Sequence, residues 1–431
     1  MRGSFGFFGK STVAALALAT GLVAGGTMIG AGVAVAKDAK PAKVTNSPEF
    51  IKIAQTLQKP VADVAASKDK AAAAALVPQL AAAEASVKTA ADRIIFGQWQ
   101  QQIGAAAEDK VLQQKGLQNM ADSGQLPADK QGLVTYFLGV TAYQNKDYPT
   151  AVKALGPLVA ANYSDDSAAE ILADAYASQN QAPQAIEALK GAIAARKAAG
   201  AAVPDSWFKR GNLIAYQNKL GPQAIEMATM QVESQPNALN WLGAGQLVRE
   251  FGNFSKEESL DLGRLFLRTG ALDNDPKYTE REFIEYIQAA DPRRLPGETV
   301  KVGELGLAKG ALKSSDPFVT DALSQARGRI AADKASLAAL EKDGRASPTG
   351  KSAVATADAY LSYGEAAKAE EMYQIALQKG GIDADRALTR LGIAQVDLGK
   401  YADAKATFAK VTGVRAPLAK LWSVYASSKV Q

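Results

Sequence analysis

Three stretches of this chain carry the same punctuation, and that punctuation limits what the chain can fold into. Residues 142–151 read AYQNKDYPTA, residues 215–224 read AYQNKLGPQA, and residues 175–185 read AYASQNQAPQA. Each combines a helix end, a polar turn closed by Pro149, Pro222 or Pro183, and the start of a second helix, where proline is tolerated. The following helices match as well, Ala185-Ile186-Glu187 against Ala224-Ile225-Glu226. Ala151 and Ala185 lie 34 residues apart, and Ala185 and Ala224 lie 39 apart, with the alanine-rich loop 198–203 absorbing the excess. A helical hairpin recurring at this period cannot bury its apolar face alone and must stack on its neighbours.

The rest of the chain reads as helix after helix. Ser47-Pro48-Glu49 is a helix start, with serine at the cap, proline at the first position and an acid in the first turn. Ser167 with Glu170, Ser255 with Glu258 and Thr279 with Glu282 have the spacing of capping boxes. No alternating strand pattern and no asparagine–glycine hairpin turn stands out. The expected fold class is all-α, an α-solenoid of roughly eight to ten antiparallel helical hairpins.

These residues resemble the tetratricopeptide repeat, a helix–turn–helix unit. Leu391-Gly392, Gly399, Tyr401, Ala404 and Phe408 fall at that motif's offsets. So do Ala357, Tyr360, Ala369, Tyr373 and Ala376 in the unit before, and Leu138-Gly139, Tyr148, Ala151 and Leu155 in an earlier one. The resemblance implies that Ala151, Ala185, Ala224, Ala369 and Ala404 are buried where two helices cross. Organisation is expected as follows: a signal peptide at 1–36, a linker at 37–46, helical hairpins without the signature at 47–131, and tetratricopeptide-like repeats at 132–271. An irregular helical segment at 272–348 and C-terminal repeats with a capping helix at 349–431 complete the chain. Within 132–271, residues 236–271 read as a degenerate unit around Trp241-Leu242-Gly243. Three Asp-Pro steps break the irregular segment, since the residue before proline avoids the helix. A long helix is expected over 317–341, a connection over Asp343–Ser352, and an amphipathic cap over Pro417–Ser428.

Composition narrows the chemistry. The 431 residues include no cysteine and no histidine. Disulfides, thiolate nucleophiles and serine–histidine or cysteine–histidine catalysis are therefore excluded, and so is the commonest metal ligand. No cofactor is expected. The net charge is +5, spread along the chain, which is not the clustered footprint of a nucleic-acid binder.

The first 36 residues read as an export signal. Arg2 and Lys10 make a basic start, Ser11–Ala36 carries no charge, and Ala34-Val35-Ala36 is a small-x-small cleavage site. Cleavage after Ala36 would leave a periplasmic, cell-surface or secreted protein. The alternative is a retained anchor over residues 11–36, since that stretch is long enough to span a bilayer. Signal and repeats together resemble exported tetratricopeptide-repeat proteins of alphaproteobacteria.

Gly344 to Ser352 resembles a phosphate-binding loop, but five residues separate its glycines where four are needed, and a helix rather than a strand precedes it. No nucleotide partner is expected. The adjacent acids Asp165-Asp166, Glu257-Glu258 and Glu370-Glu371 are the material for a carboxylate hydrolase, the least favoured reading. Arg293-Arg294 reads as a solvated turn, and Trp99, Trp207, Trp241 and Trp422 read as packing anchors. The resemblance implies instead a non-catalytic interaction scaffold of the cell envelope, binding a protein or peptide along the first helix of each hairpin. That register places Leu133, Tyr136, Val140, Tyr143 and Gln144 in the groove. It also places Ser167, Glu170, Asp174, Ala177 and Ser178 there, followed by Ser206, Lys209, Leu213, Tyr216 and Gln217. The partner site is expected at Tyr136, Tyr143, Glu170, Asp174, Lys209 and Tyr216. The lysine–asparagine pair with which some family members clamp peptide carboxylates is not reproduced.

Overall fold

The computed structural model describes residues 45–430. The signal expected at 1–36 and most of the 37–46 linker lie outside the described residues. Among the described residues, no helix is long and apolar enough to cross a membrane.

The described chain is an all-α solenoid of antiparallel hairpins. Its first ten helices pair in order: α1 (Pro48–Ser67) with α2 (Lys70–Ala83), α3 (Ala90–Ala106) with α4 (Lys110–Asp122), α5 (Ala128–Gln144) with α6 (Tyr148–Ala160), α7 (Ser167–Ser178) with α8 (Ala182–Ala198), and α9 (Asp205–Gln217) with α10 (Gly221–Ser234). Then come α11 (Ala238–Gly252), α12 (Lys256–Thr269), α13 (Pro276–Ala290), α14 (Pro296–Ala308) and the 30-residue α15 (Pro317–Ala346). The hairpins α16 (Lys351–Ser362) with α17 (Ala366–Lys379) and α18 (Ala384–Asp397) with α19 (Tyr401–Phe408) follow, and α20 (Ala416–Ser427) ends the chain.

One turn closes six of the hairpins. Glu108, Lys146, Asn180, Lys219, Gly364 and Gly399 all adopt left-handed φ, between 56° and 79°. The next residue then donates its N–H to a carbonyl of the last helical turn: Asp147 to Ala142 at 2.8 Å, Leu220 to Ala215 at 2.9 Å, Lys400 to Gln395 at 2.8 Å. This Schellman closure satisfies carbonyls that the helix end would otherwise strand. It is the physical content of the repeated Gln-Asn-Lys punctuation.

The crossings fit the repeat register. Ala151, Ala185, Ala224, Ala369 and Ala404 are all fully buried. A methyl group added at Gly139 would collide with Leu155, at Gly211 with Met227, and at Gly392 with Phe408. Small residues on one helix and bulky ones on the other set the helix separation. The α3/α4 hairpin, whose sequence lacks the signature, crosses glycine on glycine instead: a Cβ on Gly97 would lie 2.5 Å from the Gly116 carbonyl. At its start, the buried carboxylate of Asp92 accepts from Asn46 Nδ2 (2.9 Å), Ser47 N (3.0 Å), Ser47 Oγ (2.7 Å), Lys88 N and Thr89 N. That pins the entry of α1 to α3, with Ser47 capping α1 through Phe50 N at 3.3 Å.

Several local expectations are corrected. The Ser255/Glu258 capping box is present. Ser167 is inside α7 and its hydroxyl bonds Asp165 and Tyr136. Thr279 lies a turn inside α13, because Asp275-Pro276 starts that helix first, with the Asp275 carboxylate capping Lys277 N at 3.0 Å. The crossing glycine of the degenerate unit is Gly245, packed on Phe266, while Gly243 meets nothing. The connection expected over Asp343–Ser352 shrinks to a few residues, since α15 continues to Ala346. Lys379 there donates to the carbonyls of Gly344, Arg345 and Ser347 at 3.2, 2.6 and 2.5 Å, capping α15, and Gly350 N donates to Gly380 O at 2.9 Å. The glycines of the phosphate-loop-like stretch are thus contact points with α17.

The largest departure is α20. A terminal cap keeps a polar outer face, but Leu418, Ala419, Leu421, Trp422, Val424 and Ala426 are buried. The helix packs on α19 and also on α10, α11 and α12, so residues 221–427 close into a circuit of helices. Its centre is charged. Asp261, fully buried on α12, accepts from Arg390 (3.0 Å), Arg415 (2.7 Å) and Arg264 (3.1 Å). Around it, Arg264 pairs with Glu298 at 2.7 Å, Arg390 with Asp358 at 2.6 Å, and the hydroxyls of Tyr286 and Tyr373 donate to Glu298 and Asp358. Burial would raise the Asp261 carboxyl, but the guanidiniums of Arg390, Arg415 and Arg264 outweigh it and bring it to about 2.

Candidate partner-binding face

The first helices α5, α7 and α9 form one layer, each packed on the next. Every one of the fifteen register positions on these three helices is partly or fully solvent-exposed. Their neighbours one residue away, such as Ala142, Ala173, Ala175 and Ala215, are buried. The 3.6-residue period separates a crossing face from an open face.

The six singled-out residues differ along that face. Tyr136 is half-buried at the seam between hairpins: its hydroxyl is 2.7 Å from Ser167 Oγ and its ring lies 5.4 Å from Tyr163. Burial pushes its hydroxyl up to about 12. Tyr143, also half-buried, tilts against Tyr148 at 5.8 Å. Its hydroxyl is raised first by burial and then by the Asp174 carboxylate on the next helix. Asp174 is itself raised by burial, against the pull of Arg210 at 3.5 Å, while the nearby Glu170 adds to the rise. Tyr143, Glu170, Asp174 and Arg210 therefore form one cluster across α5, α7 and α9. Lys209 stays outside it, exposed and folded back onto Asp205 at 2.5 Å.

Tyr216 is the most open of the three tyrosines on this face, 51% exposed, with its ring edge-on to Phe251 of α11 at 6.0 Å. Leu213, one turn before it, is 41% exposed. Together they make an apolar step beside the charged cluster. Arg210 follows Lys209 by one residue and so falls off the repeat register, which is why spacing alone does not place it on this face. Phe251 lies near the end of α11, whose crossing glycine is Gly245, two residues past the Gly243 that the repeat pattern points to.

The remaining sequence candidates are engaged structurally. All four tryptophans are buried: Trp99 stacks on Phe50 at 5.4 Å and the indole of Trp207 donates to Asp166 O at 2.9 Å. Glu257 accepts from Arg390 at 2.5 Å and from Arg294, Glu258 lies 2.9 Å from Arg415, Glu370 accepts from Lys400 at 2.6 Å, and Glu371 lies 2.8 Å from Arg345. Glu257 is held down to about 2 because Arg390 and Arg294 outweigh its burial, and Arg345 lowers Glu371. A general acid needs the opposite shift. Arg294, read as solvated, is thus part of the buried network's rim.

No family model matches the chain, and no curated protein matches it. Among solved structures, it is similar to the TPR2AB-domain:pHSP90 complex of yeast Sti1, at 14% identity over 70% of this chain and 96% of that one, with a TM-score of 0.24. It is also similar to Naa15/Naa10 bound to HypK-THB, at 12% identity over 86% of this chain and 70% of that one, with a TM-score of 0.23.

Proposed function

We propose that this chain is an exported, non-catalytic interaction scaffold of the bacterial cell envelope, holding a protein or peptide along the α5–α7–α9 layer. The observation that carries the reading is the pairing of exposed Leu213 and Tyr216 with the half-buried cluster of Tyr143, Glu170, Asp174 and Arg210. Aromatic residues with a polar tip are the usual anchors of such contacts. A row alternating aromatic and charged groups over three helices suits an extended polypeptide or an amphipathic helix.

Replacing Tyr143→Ala together with Tyr216→Ala tests the face. Partner capture should fall while the helical circular dichroism is kept. Loss of the dichroism would make the tyrosines core, and unchanged capture would move the site elsewhere; the exposed Tyr216→Ala alone separates the two.

The envelope address rests on the charge-free segment ending Ala34-Val35-Ala36. The mature protein should begin at Lys37. N-terminal sequencing that finds Met1 on a membrane-bound protein supports the second reading, an assembly factor anchored by residues 11–36.

A further inference from the structure

Along most of the solenoid, substantial packing joins helices one or two steps apart in chain order. The exception is the seam where α18 and α20 meet α10, α11 and α12. This seam is built like an interface between separate proteins. The near side supplies acids: Glu233 faces Lys420 at 3.5 Å, Glu258 faces Arg415 at 2.9 Å, and Glu257 and Asp261 both bind Arg390. One pair runs the other way, Arg268 with Asp397 at 2.5 Å. Acid on one side and base on the other gives the polarity of a docked surface.

Closing such a seam desolvates the charges, and that offsets much of the Coulomb attraction. Arg415 illustrates the imbalance. It is only 3% exposed, its Nε has no acceptor among the described residues, and its Nη2 lies 2.9 Å from Glu258 without making a hydrogen bond. Midway between the two sides in chain order, α15 has no buried residue from Arg327 to Ser336 and is held there by polar contacts, among them the Tyr363 hydroxyl donating to Asp333 at 2.6 Å. The apolar face of α20, with Leu421 and Trp422 fully buried, joins the same core as Ala228, Trp241 and Leu260, so opening the seam would be a sub-global event, of the kind that lies below the global unfolding free energy.

We propose that the seam is a latch: α18–α20 swings off α10–α12 about α15 while the hairpins stay intact. In the closed state α20 is an intramolecular ligand. Opening exposes an acidic seat of Glu233, Glu257, Glu258 and Asp261 beside Trp241, whose ring meets Tyr425 edge-on at 6.2 Å when closed. The seat's chemistry fits a basic helix bearing aromatic residues.

The absence of native cysteine lets two spin labels be placed cleanly on the full chain. Leu239→Cys on α11 and Val414→Cys before α20 are both exposed and span the seam. Double electron–electron resonance should show a short and a long distance. Salt at about 1 M, where the screening length is about 3 Å, stabilises the charges exposed in the open state more than the buried pairs of the closed one, and should raise the long-distance fraction at least about twofold. Arg415→Gln should raise it further. A control pair on one side, Leu239→Cys with Tyr278→Cys on α13, should keep one distance throughout. A single seam distance that ignores both salt and Arg415→Gln overturns the latch, and if Arg415→Gln does not fold, the salt series on the labelled parent decides alone.

Discussion

Arg390 donates to both carboxylate oxygens of Asp261, at 3.0 and 3.2 Å, across 129 residues of chain. Each is fully buried, on α18 and α12. A repeat solenoid is usually held only by neighbour contacts, so this bond belongs to a second level of organisation, the closure of residues 221–427. The same carboxylate also binds Arg264 and Arg415, and its backbone carbonyl accepts from Trp422 Nε1 at 3.2 Å.

Asp261→Asn should be among the most damaging single substitutions. It leaves three buried guanidiniums short of a counter-charge, which costs about 3–5 kcal/mol when one partner of a buried pair is removed. Urea unfolding followed by circular dichroism measures it. A loss under about 1 kcal/mol would mean that water or the remaining acids replace the charge.

Acid should weaken the closed circuit. Asp261 and Glu257 sit near 2 when folded, below the values of about 3.9 and 4.3 for free side chains. Folded values that are depressed stabilise above the unfolded values and stop doing so as pH falls through the folded ones. Stability should therefore fall steeply between about pH 4 and pH 2. In Asp261→Asn the slope in that window should be shallower; an identical slope would assign the acid sensitivity to other carboxylates, Asp92 first, whose hydrogen bonds also hold it low.

The crossings allow a packing test. Ala404 is fully buried on α19, so Ala404→Leu should overpack the α18/α19 crossing and destabilise by about 1–3 kcal/mol. Its thermal midpoint should drop measurably. An unchanged midpoint would contradict the crossing geometry.

The shared turn allows a stabilising test. Lys146 and Lys219 hold φ of 64° and 56°, at the position where Gly364 and Gly399 occupy the equivalent turns. A residue with a Cβ pays about 1–2 kcal/mol in that region, and glycine loses part of this gain to its freer unfolded chain. Lys219→Gly should raise the melting temperature slightly, and a decrease would show that the side chain itself holds the turn.

The hairpins were legible because one turn and one crossing recur. Left-handed Lys146, Asn180 and Lys219 and the buried alanines 34 or 39 residues apart leave the same letters each time. The α3/α4 hairpin was not legible as a repeat because Gly97 against Gly116 solves the same crossing with different letters. The closure was hidden for another reason. Glu257, Asp261, Arg264 and Arg268 recur at helical spacing on α12, and charges at that spacing ordinarily mark a solvated face. Their partners Arg390 and Arg415 lie more than a hundred residues away, and nothing local signals that they meet. On the candidate face, the period fixed which positions stay open, but the pairing of Asp174 with Arg210 depends on how far α7 and α9 are offset, which spacing alone does not set.

The α5–α7–α9 layer is proposed to hold a partner. Its most direct test places a photo-crosslinking amino acid at Tyr216, and separately at the exposed Lys153 on the second helix α6, in living cells. Irradiation should yield a discrete crosslinked product from position 216, lost in the presence of Tyr143→Ala, and none from position 153. Equal products from both positions, or none from 216 in folded protein, would place the partner off this layer.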